Sequence, residues 1–303
     1  MTDDRRSTED VPTADDEPVP LQFPVRPASP RPVRPVRKDE IVIEERGLYV
    51  ESWLPERRSR RRPLLLVHGE LGGSWVWHRF QEYFAARGWE AHAVNLRGHY
   101  WSDTSDDYAD LGIDSYVADA DAAIARLGAN PVVFGHGVGA LIALKLAEER
   151  PLGGLVLIAP ALPAELREPP RLHELRAVPD IFRRDFVGWQ GLPEAIRRAN
   201  ADLTVADVLR VQHMMGAESG ALRRDVLEGV PIDREAVTGR PILVLGGGLD
   251  RWHPESDAER LATWLRAEYQ PFGAHSHFGL VVGEESSEQV AETVRGFLEA
   301  HRL

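Results

Sequence analysis

The chain has no cysteine among its 303 residues, and it has no long hydrophobic run. Without cysteine there can be no disulfide framework, no thiol nucleophile and no thiolate metal site. The longest lightly charged apolar stretch, residues 151–164, is too short to cross a bilayer. The amino-terminal segment also lacks the apolar core of a signal peptide, so we expect a cytoplasmic protein with no membrane span.

Acidic side chains outnumber basic ones. Lys and Arg total 36 against 48 Asp and Glu, which leaves a formal net charge of −12 at pH 7. An electrostatic field of that sign repels nucleic acids and anionic membranes, so neither is expected as a partner. Of the whole chain, 43% is hydrophobic, which is enough to bury a sizeable core.

The first 38 residues differ in composition from the rest. Residues 1–20 hold seven acidic side chains, and a segment rich in Pro and Arg follows. Such a composition buries too little apolar surface to offset the entropy of ordering the chain. We therefore predict a disordered tail over residues 1–38; a proline-rich ligand for an adaptor protein is the less favoured interpretation.

Residues 41–45 and 48–53 are predicted to form a hairpin of two strands, and after them predicted strands alternate with predicted helices. Continuous apolar runs, typical of strands buried on both faces, occupy Leu64–Val67, residues 131–134, Gly154–Ile158 and residues 242–245. An amphipathic helix is predicted over residues 115–127, capped by Asp114 or Ser115, and others over residues 138–149 and 287–301. The alternation predicts an α/β fold with a mostly parallel, doubly wound sheet.

Chemistry-bearing residues follow several of these strands. In an open parallel sheet, ligands bind at the carboxyl ends of the strands. The segments that follow them contain His68-Gly69-Glu70, Gly135-His136-Gly137-Val138-Gly139, Gly246-Gly247-Gly248-Leu249-Asp250, and a later stretch with His275 and His277.

This succession resembles the α/β-hydrolase fold superfamily. The resemblance covers residues 41–303 and also includes Asn95-Leu96-Arg97-Gly98-His99 and a proline, Pro254, four residues after Asp250. It implies an α/β-hydrolase core over residues 39–160 and 239–303, with a helical cap inserted at residues 161–238.

In that family a strand-to-helix turn Gly-x-Ser-x-Gly carries the nucleophile, and the acid and histidine follow in chain order. By resemblance Asp250 matches the acid and His277 the base, with His275 as the competing candidate. The backbone N–H groups of Glu70 and Val138 match the oxyanion donors.

The chain departs from the family at the nucleophile position itself, where the middle residue of the turn is Gly137. Glycine brings no hydroxyl, thiol or carboxylate, so no acyl-enzyme can form at that side chain. Neither of two nearby serines, Ser74 and Ser102, follows a strand in such a turn. Glycine adopts the strained backbone of the turn without penalty, so the substitution is compatible with the fold.

The remaining polar candidates have more modest predicted roles. His68 is expected to order the oxyanion loop, and His136 to pack in the turn without handling protons. An ionised Glu70 would oppose an oxyanion, so its side chain is expected to point to solvent, or else the site accepts a cationic or neutral group. The histidines His253, His275 and His277 are a weak zinc signal, and no metal or cofactor is expected.

Aromatic side chains are candidates for the pocket walls. Those near the predicted oxyanion loop and in the predicted cap are Trp75, Trp77, Tyr100, Trp101, Phe182, Phe186 and Trp189, together with His213 and Met214. Ordinary packing is at least as good an interpretation for each of the five residues in the predicted cap, and it is the preferred one for Trp77.

The sequence thus predicts a hydrolase-superfamily protein without the serine nucleophile. The leading hypothesis is serine-independent chemistry by a His277–Asp250 base pair: slow hydrolysis of an ester or lactone, or lyase or cyclase chemistry. The alternative is a catalytically inactive protein that binds a small apolar ligand or a protein partner. The expected ligand is small, neutral, and apolar or carbonyl-containing.

Overall fold

The structure, a computed structural model, describes residues 36–57, 59–128 and 130–303. Residues 1–35, most of the predicted tail, lie outside the described residues. The last three residues assigned to the tail, 36–38, belong instead to the first strand.

Ten strands are present in the described part of the chain. They are β1 (Val36–Ile43), β2 (Leu48–Pro55), β3 (Leu64–Val67), β4 (Ala91–Asn95), β5 (Val132–His136), β6 (Gly154–Ile158), β7 (Ile181–Phe182), β8 (Glu218–Ser219), β9 (Ile242–Gly247) and β10 (Glu268–Phe272). Eight of them form one sheet in the order β1-β2-β4-β3-β5-β6-β9-β10, and β7 and β8 pair separately.

The large sheet is parallel except at one end. The strand β2 runs antiparallel to both of its neighbours, β1 and β4, and the other pairs are parallel. In register, Val67 of β3 lies opposite Gly135 of β5, and Ile158 of β6 lies opposite Leu245 of β9. The carboxyl ends of these four strands therefore meet at one edge of the sheet.

Ten α-helices accompany the described strands. They are α1 (His78–Ala85), α2 (Ile113–Leu127), α3 (Val138–Glu149), α4 (Leu172–Arg176), α5 (Pro193–Ala199), α6 (Val205–Met214), α7 (Gly220–Glu228), α8 (Arg234–Val237), α9 (Glu255–Leu265) and α10 (Ser286–Ala300). No helix in the described ranges is long and apolar enough to span a bilayer.

The helices cover both faces of the sheet. One hydrophobic cluster joins the sheet to α2, α3 and α9, and a second joins it to α1 and α10. Each face of a strand such as β3 is then buried against helices, which explains why its sequence is continuously apolar rather than alternating. The architecture is the predicted one: a mostly parallel central sheet with helices on both of its faces.

Several predicted boundaries were wrong. The hairpin strand predicted at residues 41–45 is β1, which ends at Ile43 and is followed by a short 3-10 helix at Glu44–Arg46. The strand β10 was not predicted, because it lies at the edge of the sheet and most of its side chains are exposed.

The predicted cap of α2 was also wrong. The helix begins at Ile113 after Gly112, and neither Asp114 nor Ser115 caps it. The N–H of Ile113 instead donates to the carboxylate of Asp225 on α7, at 2.8 Å. A cap supplied by a distant helix leaves no trace in the local sequence.

The segment 161–238 holds α4 to α8 and the short β7–β8 ladder, and follows β6. It makes polar contacts with the core: the N–H of Gly216 donates to the Leu71 carbonyl at 3.1 Å, and the Leu71 N–H donates to Glu218 at 3.1 Å. This segment therefore rests on the loop after β3, at the carboxyl edge of the sheet.

Candidate active site

Gly137 forms a sharp turn between β5 and α3. Its backbone has φ 57 and ψ −121, and its N–H donates to the Ile158 carbonyl at 3.0 Å. A positive φ is strained for a residue with a side chain and free of strain for glycine. Two residues on, Gly139 is required for a different reason, because a Cβ there would lie 2.4 Å from the Val67 carbonyl oxygen.

Three loops converge where a side chain at position 137 would begin. A Cβ built on Gly137 lies 3.4 Å from both Nε2 and Cε1 of His277 and 3.7 Å from the Cα of Gly69. These are ordinary van der Waals contacts. The turn after β5, the loop after β3 and the loop that carries His277 thus surround the same small volume.

His277 and Asp250 form a buried pair beside this volume. Nδ1 of His277 donates to Oδ2 of Asp250 at 2.7 Å. The other carboxylate oxygen accepts the N–H groups of Trp252 at 2.7 Å and His253 at 3.0 Å. Burial alone would raise the pKa of Asp250, but the charge and hydrogen bond of His277 outweigh it and lower that pKa from 3.8 to about 2.

The opposite nitrogen of His277 faces Gly137. Within the described residues, Nε2 has no hydrogen-bond partner and faces Gly137. The ring is held in place by Trp252, which stacks on it at 4.9 Å between centroids, and by His136 at 4.1 Å. Trp252 was not singled out in the sequence. With Nδ1 protonated and bound, the lone pair of a neutral His277 lies on Nε2.

The competing histidine, His275, lies elsewhere. It is buried near Phe272, and neither of its ring nitrogens has a partner among the described residues. Of the two predicted candidates, only His277 is hydrogen-bonded to Asp250.

The side chain of Glu70 does not point to solvent, so that expectation was wrong. Its carboxylate is buried and accepts from Nη1 of Arg223 on α7, at 2.9 and 3.2 Å. Burial raises its pKa, against the opposing effect of Arg223. The predicted conflict between a carboxylate and an oxyanion is therefore reduced by a neighbouring guanidinium that the sequence did not reveal.

The backbone N–H groups of Glu70 and Val138 are available as donors. Val138 is the first residue of α3, where backbone N–H groups have no intrahelical acceptor. Neither N–H donates to a protein acceptor within the described ranges. Two free backbone donors beside the volume at Gly137 form a suitable cradle for negative charge.

The loop after β3 is held in a strained conformation. Leu71 has a φ of 60, unusual for a residue with a side chain. Its N–H donates to the buried carboxylate of Glu218, which also accepts from His99 at 3.0 Å and Tyr116 at 3.1 Å. This network was not predicted, because Glu218 lies more than 100 residues along the chain from each of its three donors.

His68 and His136 are both fixed by backbone hydrogen bonds. His68 donates from Nδ1 to the Gly69 carbonyl at 2.8 Å, and its Nε2 accepts the N–H of Leu96 at 3.2 Å. Burial, then the charge of His99, lowers the pKa of His68 to about 3. His136 donates from Nε2 to the His277 carbonyl at 3.1 Å, and burial lowers its pKa well below the usual range. Neutral, fixed rings of this kind position the loops around them.

A cleft of about 450 Å³ contains His277. Its walls come from the segment 161–238 and from the loop after β9, and include Trp189, Gln190, Ile196, Asn200 and Trp252. Trp189 therefore lies where the sequence suggested a pocket wall. Volumes of this size accommodate small organic ligands.

The other predicted wall residues lie outside this cleft. Trp75 stacks on Phe278 at 6.3 Å, and Trp77 packs on Phe80 and His136, as its packing interpretation proposed. The remaining candidates divide between buried Phe182, partly buried Met214, and exposed Phe186, His213, Tyr100 and Trp101. Among the described residues, no cluster of three or more His, Asp or Glu side chains is placed to hold a metal ion.

Comparison with known proteins defines the class. The sequence model of the alpha/beta hydrolase family matches residues 64–293. The chain belongs to the alpha/beta hydrolase family. No curated protein sequence matches it.

Solved structures share the fold at low sequence identity. MenH from S. aureus superposes with a TM-score of 0.67 at 17% identity, over 84% of this chain and 99% of that one. A thermophilic esterase from Thermogutta terrifontis gives 0.66 at 19% identity, covering 88% and 100%. A thioesterase domain from the curacin biosynthetic pathway gives 0.62 at 17%, covering 86% and 99%. At such identities the similarity is one of fold alone.

Proposed function

We propose that this protein hydrolyses a small ester or lactone without a covalent intermediate, using His277 as a general base on water. The observation that carries the proposal is the His277–Asp250 hydrogen bond of 2.7 Å, with the opposite nitrogen 3.4 Å from the Cβ that Gly137 lacks. A water molecule can occupy the place of the missing hydroxyl, one bond beyond that Cβ, within reach of Nε2.

The reaction balances with these groups alone. Nε2 of His277 takes a proton from water as the water oxygen bonds to the carbonyl carbon. The carbonyl oxygen, now negative, accepts the N–H groups of Glu70 and Val138. When the tetrahedral species collapses, the C–O bond to the leaving group breaks, and the His277 imidazolium returns the proton to the departing alkoxide. Asp250 remains ionised throughout and stabilises the imidazolium.

The expected rate enhancement is modest. A positioned general base contributes about 10²–10⁴-fold, far less than a complete serine triad. We therefore expect slow turnover of activated substrates. Two of the structural neighbours are an esterase and a thioesterase domain, which is consistent with acyl chemistry and does not specify the acyl group.

The test compares His277→Ala with His275→Gln on a panel of short esters and γ-lactones. His275 is the matched control, since it is a nearby buried histidine without a carboxylate partner. We expect kcat/KM to fall by about 10²–10⁴-fold in the first variant and by less than about threefold in the second. Acid-quenched wild-type enzyme should show no added mass under substrate turnover. Equal turnover by wild type and His277→Ala, or an acyl adduct on the wild type, would overturn the proposal. If the wild type binds members of the panel and hydrolyses none of them, the result supports the alternative, a catalytically inactive protein that binds a small ligand.

A further inference from the structure

Arg251 lies in the turn between Asp250 and Trp252, and both of these neighbours contact His277. Asp250 accepts the hydrogen bond from Nδ1 of His277 at 2.7 Å, and the ring of Trp252 stacks on the imidazole at 4.9 Å between centroids. The other carboxylate oxygen of Asp250 accepts the Trp252 N–H at 2.7 Å, which closes the turn. Because consecutive Cα atoms are about 3.8 Å apart, the backbone of Arg251 is fixed beside the candidate base.

Arg251 also lines the cleft that contains His277. The two residues share this cavity of about 450 Å³. Arg251 is exposed, and within the described residues its side chain makes no hydrogen bond or ion pair. A guanidinium carries five N–H donors and is always protonated in proteins, so the binding capacity of this side chain remains available to a ligand.

The rest of the cleft does not neutralise this guanidinium. No Asp or Glu is among its described lining residues, which besides Arg251 and His277 are aromatic, aliphatic, glycine or amide-bearing. The carboxylate next to Arg251 in the chain, that of Asp250, already accepts from His277, Trp252 and His253. The cleft therefore presents one uncompensated positive charge, in a chain whose formal net charge is −12. A local charge of that sign attracts an anionic group.

The aromatic walls of the cleft are fixed by packing. Trp189 and Trp252 both pack edge to face against buried Phe278, at 5.1 and 5.6 Å between centroids. Walls held in this way lose little freedom when a ligand binds. A ligand with an apolar spacer between its reacting carbonyl and its charged group matches this lining.

We propose that Arg251 is a specificity-determining residue that binds a carboxylate of the substrate, so that the ester hydrolysed at His277 carries a second, ionised acid group. The inference rests on the proposed function for the reacting end of the molecule. A planar guanidinium matches the two oxygens of a carboxylate, and its single charge balances that of one carboxylate. The substrate class is then the half-ester of a dicarboxylic acid, which differs from the neutral ligand that the sequence suggested.

The experiment uses matched pairs of probes. Monomethyl esters of malonate, succinate and glutarate are compared with the corresponding methyl ester amides, which have nearly the same shape and no charge. Binding is measured by isothermal titration, and turnover by release of methanol. The variants are Arg251→Gln and the control Arg126→Gln. Arg126 is also exposed and without a partner in the described part of the chain, but it lines a different cavity, beside the end of α2.

At least one half-ester should bind the wild type about tenfold more tightly than its amide. Arg126→Gln should retain this preference and Arg251→Gln should lose it. The inference is overturned if the wild type binds no half-ester more tightly than its amide, if Arg251→Gln keeps the preference, or if both variants lose it equally. Because binding is measured separately, a protein that prefers the half-ester but never turns it over refutes the proposed reaction and leaves the carboxylate site standing.

Discussion

Two buried carboxylate–histidine pairs in the described part of the chain differ in whether the second ring nitrogen of the histidine has a partner. His277 is bound to Asp250 at 2.7 Å, and His99 is bound to Glu218 at 3.0 Å. In the second pair both ring nitrogens are occupied, because Nδ1 of His99 also contacts the Arg97 carbonyl at 3.1 Å. In the first pair Nε2 is free and faces the space left by Gly137.

The comparison shows that burial and a carboxylate partner do not by themselves leave a histidine nitrogen free to accept a proton. Glu218 also accepts from Leu71 and Tyr116, so its pair fastens the segment 161–238 to the loop after β3. The second carboxylate oxygen of Asp250 accepts two N–H groups from its own loop. The pair therefore orients the ring of His277 without occupying its Nε2. We therefore expect changes at the two pairs to affect different properties.

The largest effect is expected from Gly137→Ser. A serine Cβ would lie 3.4 Å from Nε2 of His277, so its hydroxyl can be activated by that ring. The variant should react with a fluorophosphonate probe and gain the mass of one adduct, whereas the wild type should not. Gly137→Ser combined with His277→Ala is the control and should remain unlabelled. Absence of labelling in a folded Gly137→Ser protein would show that the two turns are not aligned as described.

Asp250→Asn should impair activity strongly. The substitution removes the charge that stabilises the His277 imidazolium and leaves the side-chain shape nearly unchanged. On the best substrate found, we expect kcat/KM to fall by about 10²–10⁴-fold. Asp257→Asn, a change on the neighbouring helix α9, is the control for a general loss of charge near the site. A similar loss in both variants would contradict a specific role for Asp250.

Glu218→Gln should mainly reduce stability. It removes a buried charge that His99 faces, and breaking one partner of a buried ion pair costs about 3–5 kcal/mol. The free energy of unfolding, measured in urea, should fall by about 3 kcal/mol, with Glu228→Gln on the same segment as the control. A change below about 0.5 kcal/mol would mean that the Glu218 network is not what holds the loop after β3.

The smallest effects concern pH, and the two pairs should act in opposite directions. The pKa of Asp250 is lowered from 3.8 to about 2, so its contribution is present above pH 4 and is lost as the pH falls towards 2. That contribution is about 2 kcal/mol. For His99, Glu218 raises the pKa against the effect of burial, so its contribution is present below the ordinary value of 6.5 and is lost at higher pH.

The pH profile of stability checks both statements. Urea unfolding of the wild type should show both losses. Asp250→Asn should remove only the acidic one, and Glu218→Gln only the one at higher pH. If either variant leaves its own limb of the profile unchanged, the corresponding pair is not linked to folding as described.

The elements that were predicted best are those with the most local signals. The strand β6 and the helix α3 have the predicted bounds, since a continuous apolar run between turn residues and a glycine-rich start are both local features. The prediction for the cap of α2 was wrong because the acceptor for the Ile113 N–H comes from Asp225, on another helix. The strand β10 was missed because it is defined by its pairing with β9 and not by its own sequence.

The candidate site divides in the same way. The order of the motifs predicted that Gly137, Asp250 and His277 share one site. In the structure, His277 is hydrogen-bonded to Asp250 and faces Gly137. The partner of Glu70 could not be predicted. Arg223 lies 153 residues further along the chain, and nothing in the local pattern around either residue refers to the other.

The sequence by itself determined a parallel sheet flanked by helices, because the periodicity of apolar residues is a local property. It also determined that position 137 has no attacking atom, because that depends only on the identity of the residue. Only the folded chain decided that His277 rather than His275 meets Asp250, and that Arg223 covers Glu70. Both contacts join residues that are far apart in the chain, by 27 positions in the first case and by 153 in the second. The packing of the sheet and of the segment 161–238 brings these residues together.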